Sequence, residues 1–256
     1  MDIVVVSISA LIAAGLTLFS GFGLGTLLMP VVALFFSLDI AIAITAIVHL
    51  ANNFFKGMLF ARHTHWPVFA RFGLPALLFV FVGALLLHYL SSAPALFEYS
   101  LGDTQVQISA VKALVGVLII GFVLLELSPR FAAIEMPSRY LPIGGVLSGF
   151  FGGLSGHQGA FRSMFLLKSG LTKEQFIATG VMLAILVDVA RLTLYGWNQA
   201  EWQLIDWQLV TCATLAAFAG AFVGARLLTK VTIAAVQKAV SIMLIVIACG
   251  FISGLL

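Results

Sequence analysis

Long apolar runs, separated by short polar or glycine-rich breaks, follow one another along the whole chain. A helix needs about 20 predominantly apolar residues to cross the hydrocarbon layer of a bilayer. Most of the runs reach that length, but the second, sixth and seventh are too short to cross alone. The pattern therefore predicts an all-α integral membrane protein with about ten membrane segments. We place these segments at about 3–20, 24–36, 38–60, 68–90, 106–127, 141–155, 159–168, 174–196, 207–228 and 232–255.

The composition supports this class and excludes several others. Apolar residues make up 62% of the chain and charged residues 9%, against about 45–50% and about 25% in soluble domains. So few polar side chains cannot cover a water-facing surface. The formal charge of +3 is small and the basic residues are scattered, so no nucleic acid partner is expected. Cys212 and Cys249 show neither metal-binding nor disulfide spacing, and we expect no metal and no cofactor.

Lysine and arginine concentrate in alternate links between the segments, and this sets the predicted orientation. Links rich in these residues usually face the cytoplasm. The basic links are the third-to-fourth, fifth-to-sixth, seventh-to-eighth and ninth-to-tenth, whereas the other links carry acidic residues and only Lys112 as a base. We therefore expect these basic links inside the cell, both termini outside, and a multi-pass location in the cell inner membrane.

The two halves of the chain resemble each other. The sequence FVGA occurs at 81–84 and at 222–225, and Trp66 and Trp207 are separated by the same interval of 141 positions (207 − 66). Gly25 and Gly159 align at an interval of 134 (159 − 25). Because each half holds an odd number of segments, the second copy would be inverted, as in many secondary transporters. The alternative is a chance similarity among membrane helices, against which the agreement of glycine, tryptophan and charge positions argues.

The repeat divides the chain into two membrane units and a link. Residues 1–127 form the predicted first repeat, 128–140 a cytoplasmic linker, and 141–256 the second, inverted repeat. The sixth and seventh segments would reach only about 22 and 15 Å, against a hydrocarbon layer of about 30 Å. We therefore expect re-entrant-like short-helix hairpins, one turning at SGHQG in the second half and one at SGFGLG in the first.

The tips of these hairpins are the predicted anion site. Each tip is the N-terminus of the next helix, whose first N–H groups lack partners and carry the positive end of the helix dipole. Such N-termini bind anions. Gly25 and Thr26 lie at the first tip, and Gly159 lies at the second.

Three polar side chains lie beside the second tip. Arg162 falls in the first turn of the seventh segment, and a guanidinium suits bidentate capture of an oxyanion. The alternative for Arg162 is an ion pair with Asp188 or a side chain that reaches the membrane surface. His157 and Gln158 could donate hydrogen bonds to the anion, or could instead satisfy carbonyl groups of the loop.

Two longer segments carry further polar residues. Asn52, Asn53 and Lys56 form a polar stripe on the third segment, with His49 one turn earlier, which indicates either a lined path or hydrogen bonds between helices. On the eighth segment, Asp188 and Arg191 are three residues apart. We favour a structural ion pair between them, and the alternative is proton coupling through Asp188.

The glycine-rich turns and the links that follow them resemble the TauE/SafE family of sulfite exporters and sulfonate permeases. The matching stretches are GFGLGTLLMP at 21–30 with HW at 65–66, and GFFGGLSGHQGAFRS at 149–163 with DW at 206–207. The family pattern usually has consecutive glycines at each tip and a proline after the short run, which Pro30 supplies in the first half. In the second half His157 and Gln158 replace glycines, and Met164 stands where a proline is expected. The resemblance implies transport of sulfite, an organosulfonate or a related sulfur oxyanion.

Together these features predict a secondary transporter of a small anion, bound near the midplane by the two tips and Arg162. A passive anion channel is the first alternative. A scaffold subunit and a membrane-embedded enzyme are further ones, although no catalytic constellation is present and we assign no catalytic residue. The expected partners are the small anionic substrate and the lipid bilayer, and a homodimer remains open.

Overall fold

The structure is a computed structural model that describes residues 2–16, 23–101, 104–128, 130, 136–167, 169–195, 203–227 and 233–255. Helices account for most of the described residues, and each predicted segment overlaps one of them, although positions 17–20, 168, 196, 228 and 232 of the predicted segments lie outside the described residues. The helices are α1 (Asp2–Leu16), α2 (Leu24–Val32), α3 (Leu38–Phe60), α4 (Trp66–Ser91), α5 (Ala110–Leu127), α6 (Leu141–Ser155), α7 (Gly159–Leu166), α8 (Lys173–Tyr195), α9 (Trp207–Leu227) and α10 (Ile233–Ser253). Short 3-10 turns at Ala61–His63 and Ser138–Tyr140 precede α4 and α6.

A β-hairpin between α4 and α5 corrects the all-α prediction. Its strands β1 (Phe97–Leu101) and β2 (Thr104–Ile108) pair antiparallel, so α5 begins at Ala110 rather than at the predicted position 106. The strands alternate polar and apolar side chains, which is the strand period rather than the helix period. The hydroxyl of Tyr99 donates to the carbonyl of Ser253 over 2.7 Å, which fixes the hairpin against the end of α10.

The distribution of polarity is that of a membrane protein. Large apolar side chains such as Leu74, Leu78 and Leu85 are more than half exposed along α4, while Asp188 and Arg191 are buried. A surface of this kind is stable only in contact with lipid. Three of the described helices are long and apolar enough to cross a membrane by length and composition, at Leu38–Met58, Trp66–Ser91 and Lys173–Leu194.

Helix pairs from opposite halves of the chain make the most extensive packing. The main pairs are α4 with α6, α1 with α9, α5 with α10 and α3 with α8. Glycines allow the closest of these approaches, because a Cβ atom built on three glycines of α6 would lie only 2.1–2.2 Å from backbone carbonyl oxygens of α4. The contacts are Gly145 on Phe72, Gly149 on Ala76 and Gly153 on Val80.

The residue before each of the paired tryptophans caps a long helix. The Nδ1 atom of His65 accepts a hydrogen bond from the N–H of Val68 at the start of α4, over 3.3 Å. An Oδ1 atom of Asp206 accepts one from the N–H of Leu209 at the start of α9, over 3.0 Å. His65 and Asp206 are 141 positions apart (206 − 65), the interval that separates the tryptophans. The HW and DW pairs are therefore helix starts.

Candidate functional site

The second tip is a tight turn between α6 and α7. Gly156 follows the last residue of α6 with φ at +79°, in the left-handed region that favours glycine. A Cβ atom at this position would lie 2.8 Å from a guanidinium nitrogen of Arg191. Ser148 closes the turn by donating its hydroxyl hydrogen to the carbonyl of Gln158 over 3.0 Å. The turn therefore lies inside the bundle, where the sequence predicted it.

The two tips approach each other. A Cβ atom built on Gly25, in the first turn of α2, would lie 3.6 Å from the carbonyl oxygen of Gly156 and 3.7 Å from a methyl carbon of Thr45. Thr26 is buried beside it. Positions 20–22 of the predicted first turn lie outside the described residues. The described part of the first tip and the second tip thus adjoin at one place in the protein.

The helices that begin at these tips differ from the long helices in their capping. The cap residues of α2 and α7, Gly23 and Gln158, make no side-chain hydrogen bond to the first turn. The starts of α4 and α9 carry such a bond from His65 and Asp206. The N–H of Thr26 donates to the carbonyl of Gly23 over 3.0 Å and that of Arg162 to the carbonyl of Gln158 over 3.2 Å. The earlier N–H groups, at Gly25 and Gly159, have no intrahelical partner and are the donors that α2 and α7 present where they adjoin.

Asp188 is the centre of a buried polar network. Its Oδ2 atom lies 2.5 Å from Nδ1 of His49 on α3, and its Oδ1 atom accepts a hydrogen bond from Nε2 of Gln158 over 3.2 Å. Arg191 forms an ion pair with Oδ1, with 2.9 Å between the atoms, and donates to the carbonyl of Gly152 over 3.4 Å. The network joins α3, α8 and the second tip.

Among the described residues, Gln158 is the side chain that links Arg162 to this network. The guanidinium of Arg162 donates to Oε1 of Gln158 over 3.2 Å. No carboxylate of the described residues lies within ion-pair distance of Arg162, so Asp188 attracts the half-buried guanidinium without forming an ion pair with it. The network contains two cationic side chains, Arg162 and Arg191, and one anionic side chain, Asp188, so its net charge is +1. Such a centre favours an anion.

The two asparagines of α3 have different surroundings. The side-chain nitrogen of Asn53 donates to the carbonyl of His49 over 3.0 Å and lies 3.2 Å from both ring nitrogens of that residue. Asn52 is fully buried, and neither its amide nitrogen nor its amide oxygen has a partner among the described residues. A buried amide without partners is costly, so Asn52 marks a place where a ligand or water supplies hydrogen bonds.

His157 is held in a fixed orientation at the second tip. Its ring stacks on Phe122 with 5.1 Å between the centroids, and its Nδ1 atom lies 3.0 Å from the carbonyl oxygen of Ser155. A carbonyl only accepts hydrogen bonds, so Nδ1 carries the hydrogen. The Nε2 atom is buried and has no partner among the described residues.

Sequence reasoning underestimated His49 and did not name Thr45. Both are buried and lie on the face of α3 that carries Asn52 and Asn53. The signal was present in the sequence, since Thr45, His49 and Asn53 recur at the four-residue spacing of one helix face. No group of three histidine, cysteine or acidic side chains suited to a metal ion is found in the part of the chain that the structure describes.

The comparisons with known proteins give one match. A family model described as “Sulfite exporter TauE/SafE” matches residues 6–251 of this chain. Neither a curated protein nor a solved structure matches it.

Proposed function

Because this chain belongs to the TauE/SafE sulfite exporter family, whose members are membrane transporters and not enzymes, we propose that it is a secondary transporter of a small anion. The proposed substrates are sulfite, an organosulfonate or a related sulfur oxyanion, and the proposed location is the cell inner membrane. The observation that carries the proposal is Arg162, a guanidinium that has no carboxylate partner among the described residues and lies beside two helix N-termini without side-chain caps.

The proposed anion site has three kinds of donor. Arg162 supplies charge, since guanidinium and oxyanion geometries match in bidentate pairs. The first-turn N–H groups of Gly25 in α2 and Gly159 in α7 supply backbone donors. The N–H of Thr26 already donates to the carbonyl of Gly23 over 3.0 Å, so Thr26 contributes its hydroxyl. The buried amide of Asn52 supplies a side-chain donor that has no partner in the part of the chain that the structure describes.

The other predicted site residues act on this site by different routes. The side-chain nitrogen of Gln158 donates a hydrogen bond to Asp188, and its side-chain oxygen accepts one from Arg162. Gln158 therefore positions the guanidinium of Arg162. The side-chain nitrogen of Asn53 similarly lies 3.2 Å from the ring nitrogens of His49 and positions that ring. His157 adds one free ring nitrogen to the wall at the second tip.

We propose that the site lies between two inverted repeats, residues 1–127 and 141–256, joined by the linker 128–140. The helix bounds support this division, because α2 and α7 start 135 positions apart (159 − 24) and so do α3 and α8 (173 − 38). With this interval Asn53 corresponds to Asp188 and Lys56 to Arg191.

The packing pattern supports the same division. The first helix of each half packs on the fourth helix of the other half, as α1 on α9 and α6 on α4. The third helices, α3 and α8, pack on each other, and so do the fifth helices, α5 and α10. A rotation that exchanges the halves therefore preserves the main contacts. Rocking of one half against the other would expose the tips to each side of the membrane in turn.

A thermal-shift screen of the purified protein tests the proposal. Sulfite, sulfoacetate, taurine, sulfate and acetate are added to wild-type protein and to the variants Arg162→Ala and Arg71→Ala. A bound anion stabilises the folded state by RT ln(1 + [L]/Kd), so a sulfur oxyanion raises the melting temperature of the wild type.

The two arginine variants separate the site from general charge effects. Arg71 is an exposed arginine on α4 and gives the same loss of charge without touching the tips. We expect Arg71→Ala to keep the anion response and Arg162→Ala to lose most of it. An undiminished response in Arg162→Ala, or stabilisation by cations alone, would contradict the site.

A further inference from the structure

His49 and Asp188 form a buried pair between the halves of the molecule. His49 lies on α3, Asp188 lies on α8, and both side chains are buried. In the proposed repeat these are equivalent helices that pack on each other. A titratable pair at this position therefore adjoins the anion site and connects the two elements that a rocking motion would displace.

The contacts around Asp188 determine which atom can gain a proton. The carboxylate accepts from Gln158, pairs with Arg191 and faces Nδ1 of His49, an arrangement that suits the ionised form. Nδ1 of His49 therefore carries a hydrogen and donates it to Asp188. The Nε2 atom holds the lone pair of the neutral ring, lies 3.2 Å from the side-chain nitrogen of Asn53, and is the atom that takes up an added proton.

The charged groups that face His49 come from each polar element near it. They are Asp188 and Arg191 on α8 and Arg162 on α7. Beyond this group, Lys56 on α3 interacts with Arg162, and His157 at the tip interacts with Arg191. The described residues of α2, which also packs on α3, contain no titratable side chain. Cations outnumber carboxylates around the ring.

An excess of positive charge links proton binding to anion binding. The network of Arg162, Arg191 and Asp188 has a net charge of +1 when the ring of His49 is neutral, and +2 when it is protonated. A bound anion lowers the repulsion that an added proton meets, and an added proton strengthens the attraction for the anion. By linkage, the anion raises the affinity for the proton by the same factor as the proton raises the affinity for the anion. Binding of either one therefore favours the state that carries both.

We propose that His49, hydrogen-bonded to Asp188, is the proton carrier that couples movement of the anion to the proton gradient. This proposal rests on the anion transport proposed above. The proton binds at Nε2 on one side of the membrane and leaves from the same atom on the other, in the same direction as the anion. Gln158 connects the two sites, because it touches both Asp188 and Arg162.

Transport assays in proteoliposomes separate coupling from binding. The probe is ³⁵S-methanesulfonate, whose charge is constant between pH 5 and 8. Exchange of labelled for unlabelled probe needs no proton gradient, whereas accumulation does. With the membrane voltage clamped at zero, a gradient of one pH unit supports about tenfold accumulation of an anion that moves with one proton.

The main variant is His49→Asn, because the asparagine nitrogen can take the place of Nδ1 and still donate to Asp188 while no titratable nitrogen remains. His49→Gln is the second variant, and His88→Asn, at an exposed histidine of α4, is the control. We expect wild type and His88→Asn to accumulate the probe about tenfold and His49→Asn to lose accumulation, with exchange kept within about threefold.

Two results in the variants would overturn the proposal. One is accumulation by His49→Asn or His49→Gln at the wild-type level. The other is a folded His49→Asn protein that loses exchange together with accumulation, which would place His49 in the anion site itself. Melting temperatures of all variants report whether they are folded.

Nitrogen NMR of ¹⁵N-histidine-labelled protein tests the proton directly and does not depend on transport. The His49 signals are assigned by their loss in His49→Asn. We expect the ring to change protonation between pH 5 and 8 and to gain a proton at fixed pH when methanesulfonate is added.

If wild-type protein shows no exchange in proteoliposomes, the proposed transport of sulfonates fails independently of the carrier proposal. A His49 ring that never changes protonation in this range overturns the carrier proposal.

Discussion

Asp188 compensates the buried positive charge of Arg191 and orients His49 and Gln158 at the same time. Arg191 is almost completely buried, so solvent cannot take over this role. Breaking a buried ion pair by removing one partner leaves an uncompensated charge, which costs about 3–5 kcal/mol.

We therefore expect Asp188→Asn to lower the free energy of unfolding by about 3–5 kcal/mol, measured by equilibrium unfolding in mixed detergent micelles. The matched control is Asp39→Asn, at a partly exposed aspartate that accepts a hydrogen bond from Ser91 over 2.6 Å. An asparagine oxygen can still accept that bond, so the control changes stability by about 1 kcal/mol or less. Equal losses in both variants would contradict a structural role for the buried pair.

At the residue scale, the sequence identified the polar side chains but not their partners. The pairing of Asp188 with Arg191 follows from helical spacing, whereas the contact between His49 and Asp188 spans 139 positions and depends on the packing of α3 on α8. The surroundings of Arg162 could not be predicted either, since they depend on which way Gln158 points.

At the scale of elements, glycines of α6 determine how closely α4 can pack. Gly149 illustrates the constraint, because a Cβ atom there would lie 2.2 Å from the carbonyl oxygen of Ala76. The obstacle is backbone rather than a flexible side chain, so the two helices must move apart to admit a methyl group. Helix pairs in membranes commonly use small residues in this way.

We expect Gly149→Ala to lower the free energy of unfolding by about 1–3 kcal/mol, the usual cost of overpacking. Gly121→Ala on α5 is the matched control, since a Cβ atom at Gly121 meets nothing within 4 Å. Because alanine favours helix over glycine by about 1 kcal/mol, the control should be neutral or stabilising. A destabilised Gly121→Ala together with a neutral Gly149→Ala would show that the α4–α6 contact is not a tight one.

Element bounds were largely predictable because apolar runs, glycine breaks and helix starts coincide in this chain. The bounds of α3 and α6 match the predicted segments at 38–60 and 141–155. The β-hairpin was missed because its apolar residues, Val106 among them, were counted into the run that continues as α5. The role of Gly149 and Gly153 was also missed, because glycines next to a predicted turn were interpreted as part of that turn. In the structure both glycines lie inside α6 and face α4.

At the scale of the whole molecule, packing between the halves has a functional consequence. Each half contributes a short helix to the tips, and each half packs its first helix on the fourth helix of the other. Neither proposed repeat can therefore bury its own helices alone, and the proposed anion site lies where the two meet. The sequence could indicate this through the 141-position interval, but the reciprocal packing depends on contacts that no local pattern contains.

The proposed inverted arrangement predicts the side of the membrane on which each link lies. In a background with Cys212→Ala and Cys249→Ala, single cysteines at exposed positions can be labelled with an impermeant maleimide. We expect Ser92→Cys, after α4, and Leu204→Cys, before α9, to react in intact cells. Two further variants should react only after permeabilisation: Ser138→Cys in the linker and Thr172→Cys before α8.

Leu204→Cys is the decisive position in this experiment. It lies in the link before α9, and the corresponding link of the first half, before α4, is rich in basic residues and predicted inside the cell. Two repeats with the same orientation would place both links on the cytoplasmic side, so Leu204→Cys would then be labelled together with Ser138→Cys. When α4 spans the membrane, the link before it and Ser92 after it lie on opposite faces. If Leu204→Cys is labelled together with Ser92→Cys, the links before α4 and before α9 lie on opposite faces, so the two repeats have opposite orientations.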